Sequence, residues 1–479
     1  MRYNANRALG LRFYGALIGV LGVSVAVAQQ SDTFVACDVL DPEFDSDNDV
    51  LVYQREISIV EQRAFAAFMD PATGTIVPNT TSQIADDVEY YNRAQAGPKF
   101  AVGTSPQLQP ETFLAYTRRI GTLADNTQAV GILTYDDGVL GCFPGVGPAG
   151  DCFDPSAVGQ IPAVEDVVPG SMESRFFVYT NEDEGSPFRA TALYAYDTDP
   201  NDLFSDELRW ATVTDWLPNG TGGERQFNQQ GVVWGRLHTY QGAIDDSLKV
   251  VTTYRSPTPS IQVWLVDVEN PDTVAPINVT GQTASNKFNP YLFVNADPAE
   301  NNNMVAFRES APNALSSAIT IRAETAPGSG IWEDFMQITA SDLTSLYEDE
   351  LVFQSEAVAN LNFLLSPETF NFGGRTYVLF STSSALQFPQ ATDGNVWLAL
   401  VERSPNPVRA IRLNTRSPGR ARRIRAELEV YEGGNGVPYF FYSEVVGPND
   451  PDGCTFNQNL LQDFALRRVT VSLAVLNSL

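Results

Sequence analysis

The chain has 479 residues, with 58 acidic against 30 basic side chains, one histidine and four cysteines, for a formal net charge of −28. A single imidazole excludes Ser-His-Asp and Cys-His hydrolysis, HExxH zinc sites and three-histidine zinc sites. Three lysines (Lys99, Lys249, Lys287) and no GxxxxGK[ST] or GxGxxG stretch leave little for phosphate-loop chemistry, and the charge opposes nucleic acid and anionic membranes as partners.

In chain order, the first 28 residues read as a secretory signal peptide. Arg2, Arg7 and Arg12 form a basic start, Gly15 to Val25 is apolar, and Ala26-Val27-Ala28 is a small-x-small cleavage site. The apolar run is shorter than the roughly 20 residues of a membrane anchor. No later segment is long and apolar enough to span a bilayer, and the mature chain is expected as one domain, 29–479. Export implies an oxidising compartment, where cysteines pair.

From Val50 onward one strand pattern recurs seven times. Alternating apolar residues end in an aromatic, followed by small polar or charged residues. The aromatics are Tyr53, Tyr116, Tyr179, Tyr254, Phe307, Phe380 and Tyr442, spaced by 53 to 75 residues. A second strand-like run follows each copy, from AFAAFMD after the first to ALRRVTVS after the last, with turn residues between. Period-2 strands at regular spacing, without alternating helices, predict an all-β array. Units of this size suit four-stranded blades, so the expected fold is a β-propeller of seven blades. A small helix is expected near 341–347, capped by Ser341, as an insert between blades five and six.

The last unit has only three strand candidates: Glu427–Tyr431, Val437–Val445 and Phe464–Leu473. Asp32–Ala36 is the candidate for the missing outer strand, closing the ring by pairing the two chain ends. Four cysteines allow three connectivities. Cys142 and Cys152 flank a Pro- and Gly-rich loop and are natural partners, leaving Cys37 and Cys454. In the closed ring these two come together, and a bridge over so long a loop stabilises by several kcal/mol in the chain-entropy model.

The segment NPYLFVNADPAENNNMVAFRES (Asn289–Ser310) resembles the repeat of exported TolB-type propellers, in which a Pro-Asp-Gly-like turn precedes a strand ending in Ala-Phe. The turn glycine is absent, and only this unit carries the motif. The resemblance implies a ring that binds a protein or a ligand, without specifying a reaction.

Three constellations carry chemistry. Asp45, Asp47 and Asp49 alternate on a turn before the first repeat strand. They resemble the DxDxD loop of integrin-type propellers and are candidate ligands for a structural calcium, although Val50 replaces the usual glycine. The plain alternative is a solvated acidic turn.

Arg409, Arg412, Arg416, Arg420, Arg422, Arg423 and Arg425 crowd into 17 residues with no acid between them. Arginine forks match carboxylate and sulfate, so this is a candidate site for an acidic polysaccharide or protein partner; internal pairing with the many carboxylates is the alternative. Residues just past the aromatics are expected around one mouth of the channel: Arg55, Glu56, Arg118, Arg119, Asn181, Glu182, Arg255, Arg308, Glu309 and Glu444. His238, in a strand-like context, reads as structural.

These features put a non-catalytic binding module first. A glycoside hydrolase using two carboxylates at the channel mouth is the alternative, since that chemistry needs no histidine. A structural envelope scaffold is the third reading.

Overall fold

The computed structural model describes residues 31–88 apart from 46–48 and 59–60, and residues 260–479 apart from short gaps and 344–361, 384–393 and 415–423. Between 95 and 255 it describes strands, mostly by their backbone. The expected signal peptide and Cys152 lie outside the described residues, as does the side chain of Cys142.

The protein is all-β, and its sheets are antiparallel with a recurring four-strand order. In one sheet Asn286–Val294, Asn303–Ser310, Ala318–Glu324 and Trp332–Ile338 pair in succession, and the Asn289–Ser310 repeat spans its first two strands. In the next sheet the order is Phe363–Phe372, Arg375–Ser383, Gly394–Leu400 and Ala410–Arg412. The 40–88 sheet begins Leu40–Asp45, Val50–Ser58, Glu61–Asp70 and Ser82–Val88. Tyr53, Tyr254, Phe307, Phe380 and Tyr442 each stand on the second strand of their sheet, whereas Tyr179 stands on an edge strand and Tyr116 on a strand that continues the 40–88 sheet.

The closing sheet is assembled from both chain ends. Ile424–Glu432, Pro438–Val445 and Phe464–Thr470 come from the C-terminal part, and Ser31–Cys37 adds the fourth strand, with Ser31 opposite Thr470 and Cys37 opposite Ala465. Cys37 and Cys454 form a disulfide with their Cα atoms 5.5 Å apart, tying that strand to the loop after Pro438–Val445. Both expectations for the chain ends are met.

Strands read as continuous apolar runs where both sheet faces are buried. Met304, Ala306, Ile319 and Ile321 of the 286–338 sheet pack with Leu364, Val378, Phe380 and Trp397 of the next. Leu379 and Leu398, on the other face of that sheet, pack with Phe440, Tyr442 and Val469 of the closing sheet. Tyr431, Phe441 and Leu466 then pack with Leu51, Tyr53 and Met69 of the 40–88 sheet. The second strands Asn303–Ser310, Arg375–Ser383 and Pro438–Val445 therefore send alternate side chains to the preceding and the following sheet.

Two helical details differ from expectation. Residues 340–343 are helical, and the cap is Thr339 rather than Ser341. Asp342 accepts from the Thr339 backbone N–H at 2.7 Å and from its Oγ1 at 2.6 Å, the half of a capping box that satisfies the cap's own N–H. A short C-terminal helix, Leu473–Ser478, is capped by Ser472 and buries Val475 and Leu476 against the closing sheet. No helix of the described residues is long and apolar enough to cross a membrane.

Candidate functional site

The first strands of the sheets, called inner strands below, hold the most regular chemical feature. Three of them carry a polar residue, a proline, then Glu or Tyr: Asp41-Pro42-Glu43, Asn289-Pro290-Tyr291 and Ser366-Pro367-Glu368. In each, the register slips so that the polar residue and the proline together face one residue, the repeat aromatic. Leu40 pairs Gln54 and Glu43 pairs Val52 around Tyr53. Phe288 pairs Arg308 and Tyr291 pairs Ala306 around Phe307. Leu365 pairs Ser381 and Glu368 pairs Leu379 around Phe380. These are β-bulges, which bend a strand and re-aim the next side chain. Proline fits there because the inner strand is a sheet edge, where the missing N–H breaks no ladder bond.

The bulge backbone is unusual. Asn289 has φ 50° and Ser366 φ 47°, in the left-handed region. Asparagine tolerates that region; serine does so at a cost of about 1–3 kcal/mol, met where the surroundings fix it. Asn289 Nδ2 donates to Ser366 Oγ at 3.3 Å, so the two bulges brace each other across neighbouring inner strands.

The residue after each bulge stands one place before the aromatic's level. In the closing sheet Glu429 pairs with Phe441, one place before Tyr442, and so occupies the same level behind its own register shift. Inner strands of consecutive sheets touch. Tyr291, Glu368, Glu429 and Glu43 thus form a row on four successive inner strands, three of them carboxylates. Glu368 is 6% exposed, and Tyr291, Glu429 and Glu43 are half-buried. Each engages a neighbouring group. This row escaped the sequence reading, which looked past the aromatics on the second strands. The repeated x-Pro-Glu/Tyr before them was the available signal.

The residues past the aromatics are largely occupied by internal partners. Arg467, fully buried on the third strand of the closing sheet, donates from Nε to Glu444 Oε2 at 2.7 Å and from Nη2 to Asp452. Burial opposes its charge, but these two carboxylates hold it above the ordinary arginine range.

Glu309 accepts from Ser285 Oγ at 2.5 Å and Thr320 Oγ1 at 2.9 Å, with the Lys287 ammonium 3.5 Å away. Burial alone would raise its carboxyl; the hydrogen bonds and the ammonium outweigh burial and hold it low. The buried Lys287 is itself pushed down by desolvation. Glu309, Lys287 and Thr320 line a cavity of about 470 Å³ together with Gln337, Arg322 and Asp334. Arg322 Nε lies 3.0 Å from Asp334 and its Nη1 donates to Val279 O at 2.6 Å.

Arg55 donates to Tyr53 Oη at 3.0 Å and lies 4.7 Å from the Phe65 ring centroid. Arg308 lies over Phe288, 4.3 Å from its centroid. Arg118 and Arg255 lie on described strands, but their side chains lie outside the described residues, as do Asn181 and Glu182. The His238 side chain is likewise outside.

Of the arginine cluster, Arg409 is held by both carboxylate oxygens of Glu402, with Nε donating at 2.7 Å. Arg416, Arg420, Arg422 and Arg423 lie outside the described residues, and so does the side chain of Arg425. Asp47 and the side chain of Asp45 are also outside, while Asp49 accepts from the Tyr431 hydroxyl. No group of three or more metal-binding side chains occurs among the described residues.

No family model matches the chain, and no curated protein does. Among solved structures, an α-L-arabinofuranosidase from Fusarium graminearum with an iminosugar inhibitor is 10% identical over 78% of this chain and 97% of that one, with a TM-score of 0.43. An α-L-arabinofuranosidase from Lactobacillus brevis gives 9%, 82%, 99% and 0.37. The BP39L lectin from Burkholderia pseudomallei gives 12%, 87%, 98% and 0.43. Of these three, two carry glycoside-hydrolase names and one a lectin name; the sequence reading that put a non-catalytic binding module first is corrected to its hydrolase alternative.

Proposed function

We propose that this chain is an exported glycoside hydrolase built on a single propeller of seven four-stranded blades, its carboxylates supplied by Glu43, Glu368 and Glu429. The observation that carries the reading is their shared register level on adjoining inner strands, each behind a register shift. Glycoside hydrolysis needs two carboxyl groups facing one bond: one protonates the leaving oxygen, the other activates water or attacks the sugar. Glu429, in the middle of the three, has a carboxylate neighbour on either side. Tyr291 extends the row with a ring and a hydroxyl suited to a sugar face.

Contacts between successive sheets support the ring. Thr112–Arg119 touches Val178–Thr180, Asp206–Thr212 touches Val232–Val233, and Leu248–Arg255 touches Asn286–Val294. The Cys37–Cys454 bridge supports an oxidising compartment and hence secretion. The kinship with TolB-type repeats stays with the Asn289–Ser310 hairpin. A structural calcium on Asp45, Asp47 and Asp49 belongs to the same proposal, and a rise in melting temperature with added calcium, lost in Asp47→Asn, tests it.

The test of the activity is reducing-end release from a panel of arabinan, other neutral glycans, polygalacturonate and sulfated glycans. Activity on at least one member, lowered about 10²- to 10⁴-fold by Glu368→Gln or Glu429→Gln with the melt unchanged, supports the reading. Equal activity in both variants refutes it.

A further inference from the structure

Arginines in this acidic chain find carboxylates readily. Arg322, Arg403, Arg409 and Arg467 each have one. Arg308 does not. Among the described residues its guanidinium makes no ion pair, and its buried Nε has no hydrogen-bond partner. One face lies on the Phe288 ring. Desolvation pushes its pKa down to about 10, so it still carries its charge at neutral pH. Arg308 is half-buried, a desolvated cation without a counter-charge is costly to keep, and a fork on an aromatic face is the geometry that receives a planar anion.

Its place ties it to the inner wall. Arg308 is one residue past Phe307 and pairs with Phe288, which directly precedes the Asn289-Pro290 bulge and Tyr291. It shares a strand face with Met304 and Ala306, which pack toward the 363–412 sheet. That sheet's inner strand carries Ser366, braced to Asn289, and then Glu368.

We infer that Arg308 is a specificity-determining residue that receives the carboxylate of a uronic acid unit, beside the carboxylate row. This rests on reading that row as a carbohydrate site, and it narrows the substrate class to acidic polysaccharides. The sugar carboxylate supplies the charge that the protein leaves out.

The test is calorimetry on the full mature chain carrying Glu368→Gln, so that ligands stay intact. The probes are tetragalacturonate, neutral arabinotetraose and a sulfated tetrasaccharide. Tetragalacturonate is expected to bind, and to bind less well as salt rises. Adding Arg308→Gln should weaken that binding about 10- to 100-fold, the scale of a charge-assisted fork, and flatten its salt dependence. Arg308→Lys should fall between and also serves if the Gln variant fails to fold. Binding of the neutral probe should not change.

Unchanged tetragalacturonate affinity in a folded Arg308→Gln protein, or binding of the sulfated probe alone, overturns the inference. Hydrolysis and binding fail separately. Arg308-dependent binding without hydrolysis in the unsubstituted protein removes the enzyme reading and keeps the subsite. Hydrolysis of neutral glycans without acidic binding does the reverse.

Discussion

Replacing Arg467 with methionine probes the closing sheet at its most buried charge. The guanidinium is fully buried, 2.7 Å from Glu444, whose side chain is 7% exposed, and it also reaches Asp452 in the loop that carries Cys454. Methionine fills much of the volume but leaves the Glu444 carboxylate in the interior without its cation. Breaking a buried pair in this way costs about 3–5 kcal/mol. At about 2.1 cal/mol/K of unfolding entropy per residue, a chain this long would melt about 3–5 °C lower.

The cost also has a sign in pH. The stranded carboxyl has its folded pKa raised by burial, so the penalty is present while it is ionised in the unfolded chain. It fades as pH falls and the group is protonated in both states. The gap between the two proteins should therefore be widest at neutral pH and narrow through the acid range. Melting followed by circular dichroism from pH 4 to 8 measures both. An unchanged melt at pH 7, or a gap that does not move with pH, would refute the description of this pair as a buried ion pair.

Other perturbations follow from the same packing. Reducing the Cys37–Cys454 bridge releases a loop of 417 residues in sequence, and should lower stability by up to about 6 kcal/mol in the chain-entropy model, read as an earlier thermal transition with reductant; an unmoved transition would deny the bridge a role in closure. Gly74 has φ 60°, and an added Cβ would lie 2.8 Å from the Tyr439 ring, so Gly74→Ala should cost about 1–3 kcal/mol in urea unfolding, whereas a solvent-side Gly374→Ala carries only the backbone strain. Trp397→Ala empties a site 2% exposed and frees Thr382 Oγ1 from its indole, which should cost about 3–5 kcal/mol by denaturant midpoint.

Much of the fold was legible because its cause is local. The repeat aromatics alternate with other apolar residues on strands buried on both faces, and that pattern survives divergence in everything between. Asp32–Ala36 could be matched to the closing sheet because the last unit lacked a strand. The Thr339 cap was misread as Ser341 because several neighbouring hydroxyls can cap, and only the Asp342 carboxylate decides among them.

The candidate site was less legible. Its residues sit on the inner strands, whose meaning depends on a register slip that no period-2 pattern predicts. Once the slip is known, the prolines of Asp41-Pro42-Glu43, Asn289-Pro290-Tyr291 and Ser366-Pro367-Glu368 become markers of an edge strand and a bulge. Charged residues past the aromatics drew attention by their type. Ion pairing such as Glu444 with Arg467 depends on three-dimensional neighbours, which sequence spacing does not give. Arg308 was illegible for the opposite reason, since its lack of a partner is visible only in the fold.

The most direct test of the central claim is reducing-end release by the purified mature protein, with Glu368→Gln and Glu429→Gln alongside at matched melting temperature. Hydrolysis of at least one glycan, falling about 10²-fold or more in each variant, is the expected result. Full activity in both variants, or none in the unsubstituted protein across neutral, uronic and sulfated glycans, would contradict the assignment of the inner wall as a catalytic site.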